Sequence, residues 1–211
     1  MKLHETQTVL HAGTPLAEAD SAMVMLHGRG APATDILSLH AELDQPGMAY
    51  LAPSAVGATW YPNSFLAPIE SNQPWLDSAL NVIALVLEEL RKDEIPVDRT
   101  ILLGFSQGAC LTLEYAARNP DRYGGVVGLS GGLIGPPGTV WEYDGRFEKT
   151  PIFLGCSDID PHIPVSRVHE STTIFEQMGA EVTQQIYPGG GHTVFPEEIQ
   201  YIKRLVAQVA K

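Results

Sequence analysis

The stretch Ile101-Leu102-Leu103-Gly104-Phe105-Ser106-Gln107-Gly108, running on into Ala109 to Arg118, decides how this chain reads. An apolar run leads in, two glycines bracket a serine, and helix-forming residues follow, which is strand, sharp turn and helix. The turn strains the serine backbone, and a side chain at either glycine collides with the neighbouring strand or helix. This nucleophile elbow presents the Ser106 hydroxyl above a sheet. The same G-x-S-x-G spacing recurs at Gly128-Leu129-Ser130-Gly131-Gly132. There the following Leu-Ile-Gly-Pro-Pro-Gly cannot continue as a helix, because proline removes a donor and glycine costs backbone entropy. Ser130 therefore reads as a strand-end loop residue.

Outward from the elbow, strands alternate with helices. Gln7–Leu10 reads as short and extended, and Ala22–Leu26 and Met48–Ala52 as strands. Between Trp75 and Arg91 the residues Leu76, Leu80, Ile83, Ala84, Leu87 and Leu90 recur at helical spacing, so one face is packed. Gly125–Leu129, Pro151–Gly155 and Glu181–Tyr187 read as strands, with helices over Ser166–Met178 and Pro196–Ala210. The expectation is an α/β-hydrolase fold: about seven mostly parallel strands with helices on both faces, residues 1–211 forming one domain without a large cap. In such sheets the loops after the carboxyl ends of the strands converge, and ligands bind there.

Composition narrows the partners. A formal charge of −12, from 13 Lys and Arg against 25 Asp and Glu, repels phosphate backbones and anionic lipid surfaces, so neither nucleic acid nor membrane is expected as a partner. Cys110 and Cys156 are the two cysteines, one in a helix and one at a strand end, which indicates free thiols. The first residues lack a signal-peptide core and no apolar run approaches bilayer length, so a cytoplasmic setting is expected. No metal cluster or phosphate-cradling loop is evident, so no metal or cofactor is expected.

A serine hydroxyl needs a base to take its proton, usually a histidine oriented by a carboxylate. His192 suits the base: it follows a strand and Gly189-Gly190-Gly191 and precedes the last helix. His4 and His11 lie near the N-terminus, His40 and His169 in predicted helices, His162 beside the acidic loop, and His27 has a structural hydrogen bond as its expected role. Asp158 and Asp160 both follow the strand Pro151–Gly155, and local chemistry does not separate them as the acid. Two backbone N–H donors for a tetrahedral oxyanion are expected from Gln107, after the nucleophile, and from Arg29 in the His27-Gly28-Arg29-Gly30 loop.

Together these residues resemble the phospholipase/carboxylesterase family of small α/β-hydrolases, which includes acyl-protein thioesterases and bacterial carboxylesterases. The resemblance runs through His27-Gly28, Gly-Phe-Ser-Gln-Gly, Leu129-Ser-Gly-Gly132, Asp160-Pro-His-Ile-Pro164, Tyr187-Pro188 and His192. Its D-x-x-[VI]-P pattern falls on Asp160. The segment from Gly155 to Asp160 is two residues longer than in that pattern, which leaves Asp158 as the alternative. The resemblance implies a monomer or homodimer acting on a small-molecule ester.

Trp60, Tyr61, Phe65 and, from a Gly/Pro-rich segment over 131–147, Leu133 are the candidate substrate-binding residues, since ester substrates gain most from apolar burial. That second segment reads as a small flap. The expected chemistry is hydrolysis of small to medium acyl or aryl esters, with thioesters as a variant. The alternatives are a peptidase or dienelactone-type hydrolase on the same fold, or a non-catalytic protein binding a hydrophobic ligand.

Overall fold

The computed structural model describes residues 3–43 and 45–210. Seven strands form one sheet: β1 (Val9–Gly13), β2 (Ser21–Leu26), β3 (Met48–Pro53), β4 (Thr100–Phe105), β5 (Gly125–Leu129), β6 (Pro151–Ser157) and β7 (Glu181–Tyr187). Their spatial order is β1-β3-β2-β4-β5-β6-β7. Only the β1–β3 pairing is antiparallel; the rest are parallel and require crossovers. Among the described residues six α-helices accompany them: α1 (Ala33–Leu37), α2 (His40–Leu43), α3 (Trp75–Lys92), α4 (Gln107–Arg118), α5 (Val165–Gln177) and α6 (Pro196–Val209).

The continuous apolar strands follow from burial on both faces. Val24, Leu102, Val126 and Leu154 face α3, α4 and α5, whereas Met23, Leu103, Val127 and Phe153 face α1, α2 and α6. In α3 the buried stripe is Leu76, Leu80, Ile83 and Leu90, widened by Val82 and Val86, while Ala84 and Leu87 sit at its margin. Each such aliphatic side chain contributes about 1.5–3 kcal/mol of apolar burial. A charge at Ile83 would therefore break the α3 contact with the sheet.

Three differences from the sequence reading have local causes. The first strand starts at Val9 rather than Gln7, because the Gln7 amide closes a turn onto the His4 carbonyl at 2.9 Å. The short α1 and most of α2 went unread, since four or five residues carry no legible period. β6 runs two residues past Gly155, because Cys156 and Ser157 continue the ladder opposite Ile186 and Tyr187. That extension takes up the extra length before Asp160 and delivers the 158–160 turn to the sheet's carboxyl edge.

Candidate active site

The elbow follows from close packing. A Cβ on Gly104 would collide with the Gly108 carbonyl, and one on Gly108 with the Leu26 carbonyl, so β4, α4 and β2 meet only across bare backbone. Ser106 between them takes φ +56° and ψ −118°, a strained conformation costing about 1–3 kcal/mol that the surrounding packing imposes. Its N–H donates to the Leu129 carbonyl at 2.9 Å.

His192 comes to it from the loop between β7 and α6. Its Nε2 lies 2.8 Å from Ser106 Oγ and its Nδ1 2.7 Å from Asp160 Oδ2. With Nδ1 donating to the carboxylate, Nε2 is left to accept the serine proton. The Phe105 ring, with its centroid 5.0 Å away, braces the imidazole.

Asp160 has a fully buried side chain, and its Oδ1 accepts from the His162 and Ile163 amides at 2.8 and 3.0 Å. Burial pushes its carboxyl upward, but the bonds from His192 and these two amides outweigh it and hold the group below the usual carboxylate range. The Cys156 thiol lies 3.8 Å from Oδ2, and burial pushes that thiol up to about 12, so it stays protonated.

Asp158 has a different job. Its Oδ1 accepts from the Gly189 amide at 2.7 Å, and Ser157 Oγ accepts from the Gly190 and Gly191 amides at 3.1 Å each. Both side chains pin the glycine loop that carries His192, with Gly189 and Gly191 at φ +70° and +69°. Neither anchor was read as such from the sequence, although a serine and aspartate at a strand end facing three glycines are the signal.

Arg29 and Gln107 both line the cleft with Ser106, and among the described residues no hydrogen bond from either backbone N–H to another backbone group is seen. Their side chains brace the opposite wall. Gln107 Oε1 accepts from Trp60 N at 2.9 Å and its Nε2 donates to the Tyr61 carbonyl at 2.8 Å. The Arg29 guanidinium donates to the Pro62 and Asn63 carbonyls at 2.9 and 2.6 Å.

A cleft of about 470 Å³ opens over Ser106, with Tyr61, Phe65, Phe105, Cys110 and Ile163 among its apolar walls. Tyr61 and Phe65 thus lie where expected, whereas Trp60 and Leu133 are fully buried outside the lining. Trp60 stacks on His27 at 4.9 Å and donates its indole N–H to the His27 carbonyl, so it supports the wall from behind. Leu133 is held by its backbone, its N–H on Ser171 Oγ and its carbonyl on Arg167.

The 131–147 segment is bound down rather than hung as a flap. Glu114 takes the Ile134 amide and the Tyr143 hydroxyl at 3.1 Å each, and buried Arg167 reaches three of the segment's carbonyls. Ser130 sits at the end of β5 with φ +52°, buried and outside the cleft lining. Among the described residues no group of three or more His, Cys, Asp or Glu is gathered as a metal site.

The elbow, its histidine and the parallel sheet define an α/β-hydrolase-type protein. Residues 13–210 match the family described as Phospholipase/Carboxylesterase, and the chain belongs to that family. The crystal structure of a phospholipase/carboxylesterase from Dyadobacter fermentans superimposes with a TM-score of 0.91 at 46% identity, over 98% of this chain and 99% of that one. Acyl-protein thioesterase 1 of Saccharomyces cerevisiae is 32% identical over 127 residues, 58% of this chain and 55% of its own. A probable carboxylesterase SOBER1-like protein of Arabidopsis thaliana is 26% identical over 209 residues, covering 90% and 79%. The matched stretch spans about half the length of the thioesterase relatives.

Proposed function

We propose that this chain is a serine hydrolase of small to medium carboxylic esters. The unbroken row from Ser106 Oγ through His192 to Asp160, at 2.8 and 2.7 Å, is the observation that carries the reading. Ser106 attacks the acyl carbon while its proton passes to His192 Nε2. Asp160 stays ionised and stabilises the imidazolium through Nδ1–H. The carbonyl oxygen gathers charge between the Arg29 and Gln107 amides, and the N-terminus of α4 adds the positive end of its dipole. His192 then gives the proton to the leaving alkoxide, and water repeats the sequence on the acyl-enzyme.

Tyr61 and Phe65 are the substrate-binding residues of this reading, with Trp60 as the support behind them. Relatives named as an acyl-protein thioesterase and a probable carboxylesterase support reading acyl thioesters beside acyl and aryl esters as its substrates. The single sheet running from residue 9 to residue 187 supports one domain over 1–211. Two free, buried cysteines support a cytoplasmic setting, and the protein is read as a monomer or homodimer. Among the described residues no helix is long and apolar enough to cross a membrane.

The test is a panel of p-nitrophenyl esters from acetate to octanoate and matching acyl thioesters, with a fluorophosphonate probe read by mass spectrometry. Turnover together with labelling of Ser106 is expected. Absence of both would leave a hydrophobic-ligand binding protein as the better reading.

A further inference from the structure

The cleft departs from the rest of the molecule in its charge. The chain has 25 acidic side chains against 13 Lys and Arg, yet among the described residues no aspartate or glutamate lines the cleft. The side chains there that can be positive are Arg29, His162 and His192. His192 belongs to the catalytic row, and the His162 ring packs edge-on against it at 4.8 Å.

Arg29 is the exposed cation at the rim. Among the described residues its guanidinium meets no carboxylate, since the ion pairs present are Lys92–Glu88, Arg118–Glu114, Arg167–Glu170 and His192–Asp160. It is nonetheless held: Nη1 and Nη2 each spend one N–H on a backbone carbonyl of the cleft wall, and the group lies 5.9 Å from the Tyr61 ring centroid. Neutral carbonyls fix its position without cancelling its charge. Of five guanidinium N–H donors, three remain, which suffices for a carboxylate.

Resting on the ester-hydrolase reading, we propose that the preferred substrate is an ester bearing a carboxylate, whose anion pairs with the Arg29 side chain while its apolar part lies along Tyr61 and Phe65. Arg29 then has two separable roles: its backbone amide faces the oxyanion, and its side chain sets specificity. The chain's excess of acidic side chains disfavours an anionic substrate over much of the surface, whereas at this cleft the Arg29 cation offers it a partner.

The test compares kcat/KM for mono-p-nitrophenyl glutarate with p-nitrophenyl valerate, and for 4-carboxyphenyl valerate with phenyl valerate, corrected for the intrinsic reactivity of each ester. The two pairs put the carboxylate on the acyl side or the alcohol side. In one pair the anionic ester should be favoured about tenfold or more at low salt, as a charge-assisted hydrogen bond supplies. The preference should shrink as the screening length falls from roughly 30 Å at 0.01 M salt to about 3 Å at 1 M. Arg29→Gln should erase it, mainly through KM, and Arg29→Lys should restore part of it.

No preference in either pair, or a preference that survives both Arg29→Gln and high salt, overturns the proposal. An equal loss on neutral and anionic esters in Arg29→Gln does so too, since it assigns the side chain to holding the loop. Failure to turn over any of the four esters instead defeats the hydrolase reading itself.

Discussion

Ser106 and the two aspartates near it carry the sharpest predictions at the scale of the residue. Ser106→Ala should abolish fluorophosphonate labelling and lower p-nitrophenyl ester turnover by about 10⁴-fold or more, while leaving the melting temperature close to that of wild type, because alanine keeps the Cβ and the backbone conformation that the packing imposes. Undiminished turnover would remove the proposed mechanism. Asp160→Asn should cost about 10⁴-fold in kcat, because an amide there presents the wrong partner to Nδ1. Asp158→Asn keeps an oxygen for the Gly189 amide and should change kcat little. A reversed pair of results would move the acid's role to Asp158.

Among the elements, α6 carries the most informative tension. Glu198 is fully buried in its first turn and caps the helix by accepting the Phe195 amide at 2.8 Å, while its other oxygen lies against Gly155 without a hydrogen-bond partner. Burial pushes its carboxyl up to about 7, against the bond from Phe195. The folded state therefore holds this proton after the unfolded chain has released it, so stability falls as pH rises from about 4.5 towards 7. Glu198→Gln cannot ionise, and its melting temperature relative to wild type should climb between pH 5 and pH 8 by several degrees, at about 2–4 °C per kcal/mol for a chain of this size. A pH-independent difference in calorimetry would show that the carboxyl titrates normally. Because α6 follows the His192 loop directly, its cap also bears on how firmly the base is held.

Across the whole molecule, two buried histidines join distant parts of the chain. His4 accepts the Val56 amide at Nδ1 and donates from Nε2 to the Trp60 carbonyl, and His27 accepts the Ala55 amide at Nε2 and donates from Nδ1 to Gly28. Burial lowers both pKa values from the usual imidazole range. Below about pH 6.5 the unfolded chain binds more protons than the folded one, so the stability they permit is present above that pH and lost on acidification. Protonation would also set a ring N–H against the Ala55 or Val56 amide. These two histidines should therefore withdraw stability as pH drops from 7 to 5, opposite in sign to Glu198. The melting temperature of His4→Gln or His27→Gln relative to wild type should climb over that drop, with a change in Trp60 fluorescence. An unaltered slope in both variants would place the acid sensitivity elsewhere. Asp160, held low by its hydrogen bonds, adds its own loss at still lower pH.

Much of this architecture was legible in one dimension because it rests on local physics. The apolar strands, the spacing in α3 and the two glycines around Ser106 report constraints that act over a few residues, and two strands, Gly125–Leu129 and Glu181–Tyr187, keep their sequence-read limits. Ser106, the Asp158–Asp160 pair and His192 each follow a predicted strand, and that placement pointed to a common sheet edge. Tertiary structure decided what local chemistry could not. Asp158 and Asp160 are two residues apart and chemically alike; the D-x-x-[VI]-P resemblance pointed to Asp160, and the run-on of β6 is what turns Asp158 towards Gly189 and Asp160 towards His192. Aromatic character at Trp60 and Tyr61 was equally visible, but which ring lines the cleft and which supports it depends on contacts with His27, just after β2, and Gln107, at the start of α4. Residue type and spacing determine what a segment can form, whereas the direction a side chain faces is set by the partners the fold brings to it.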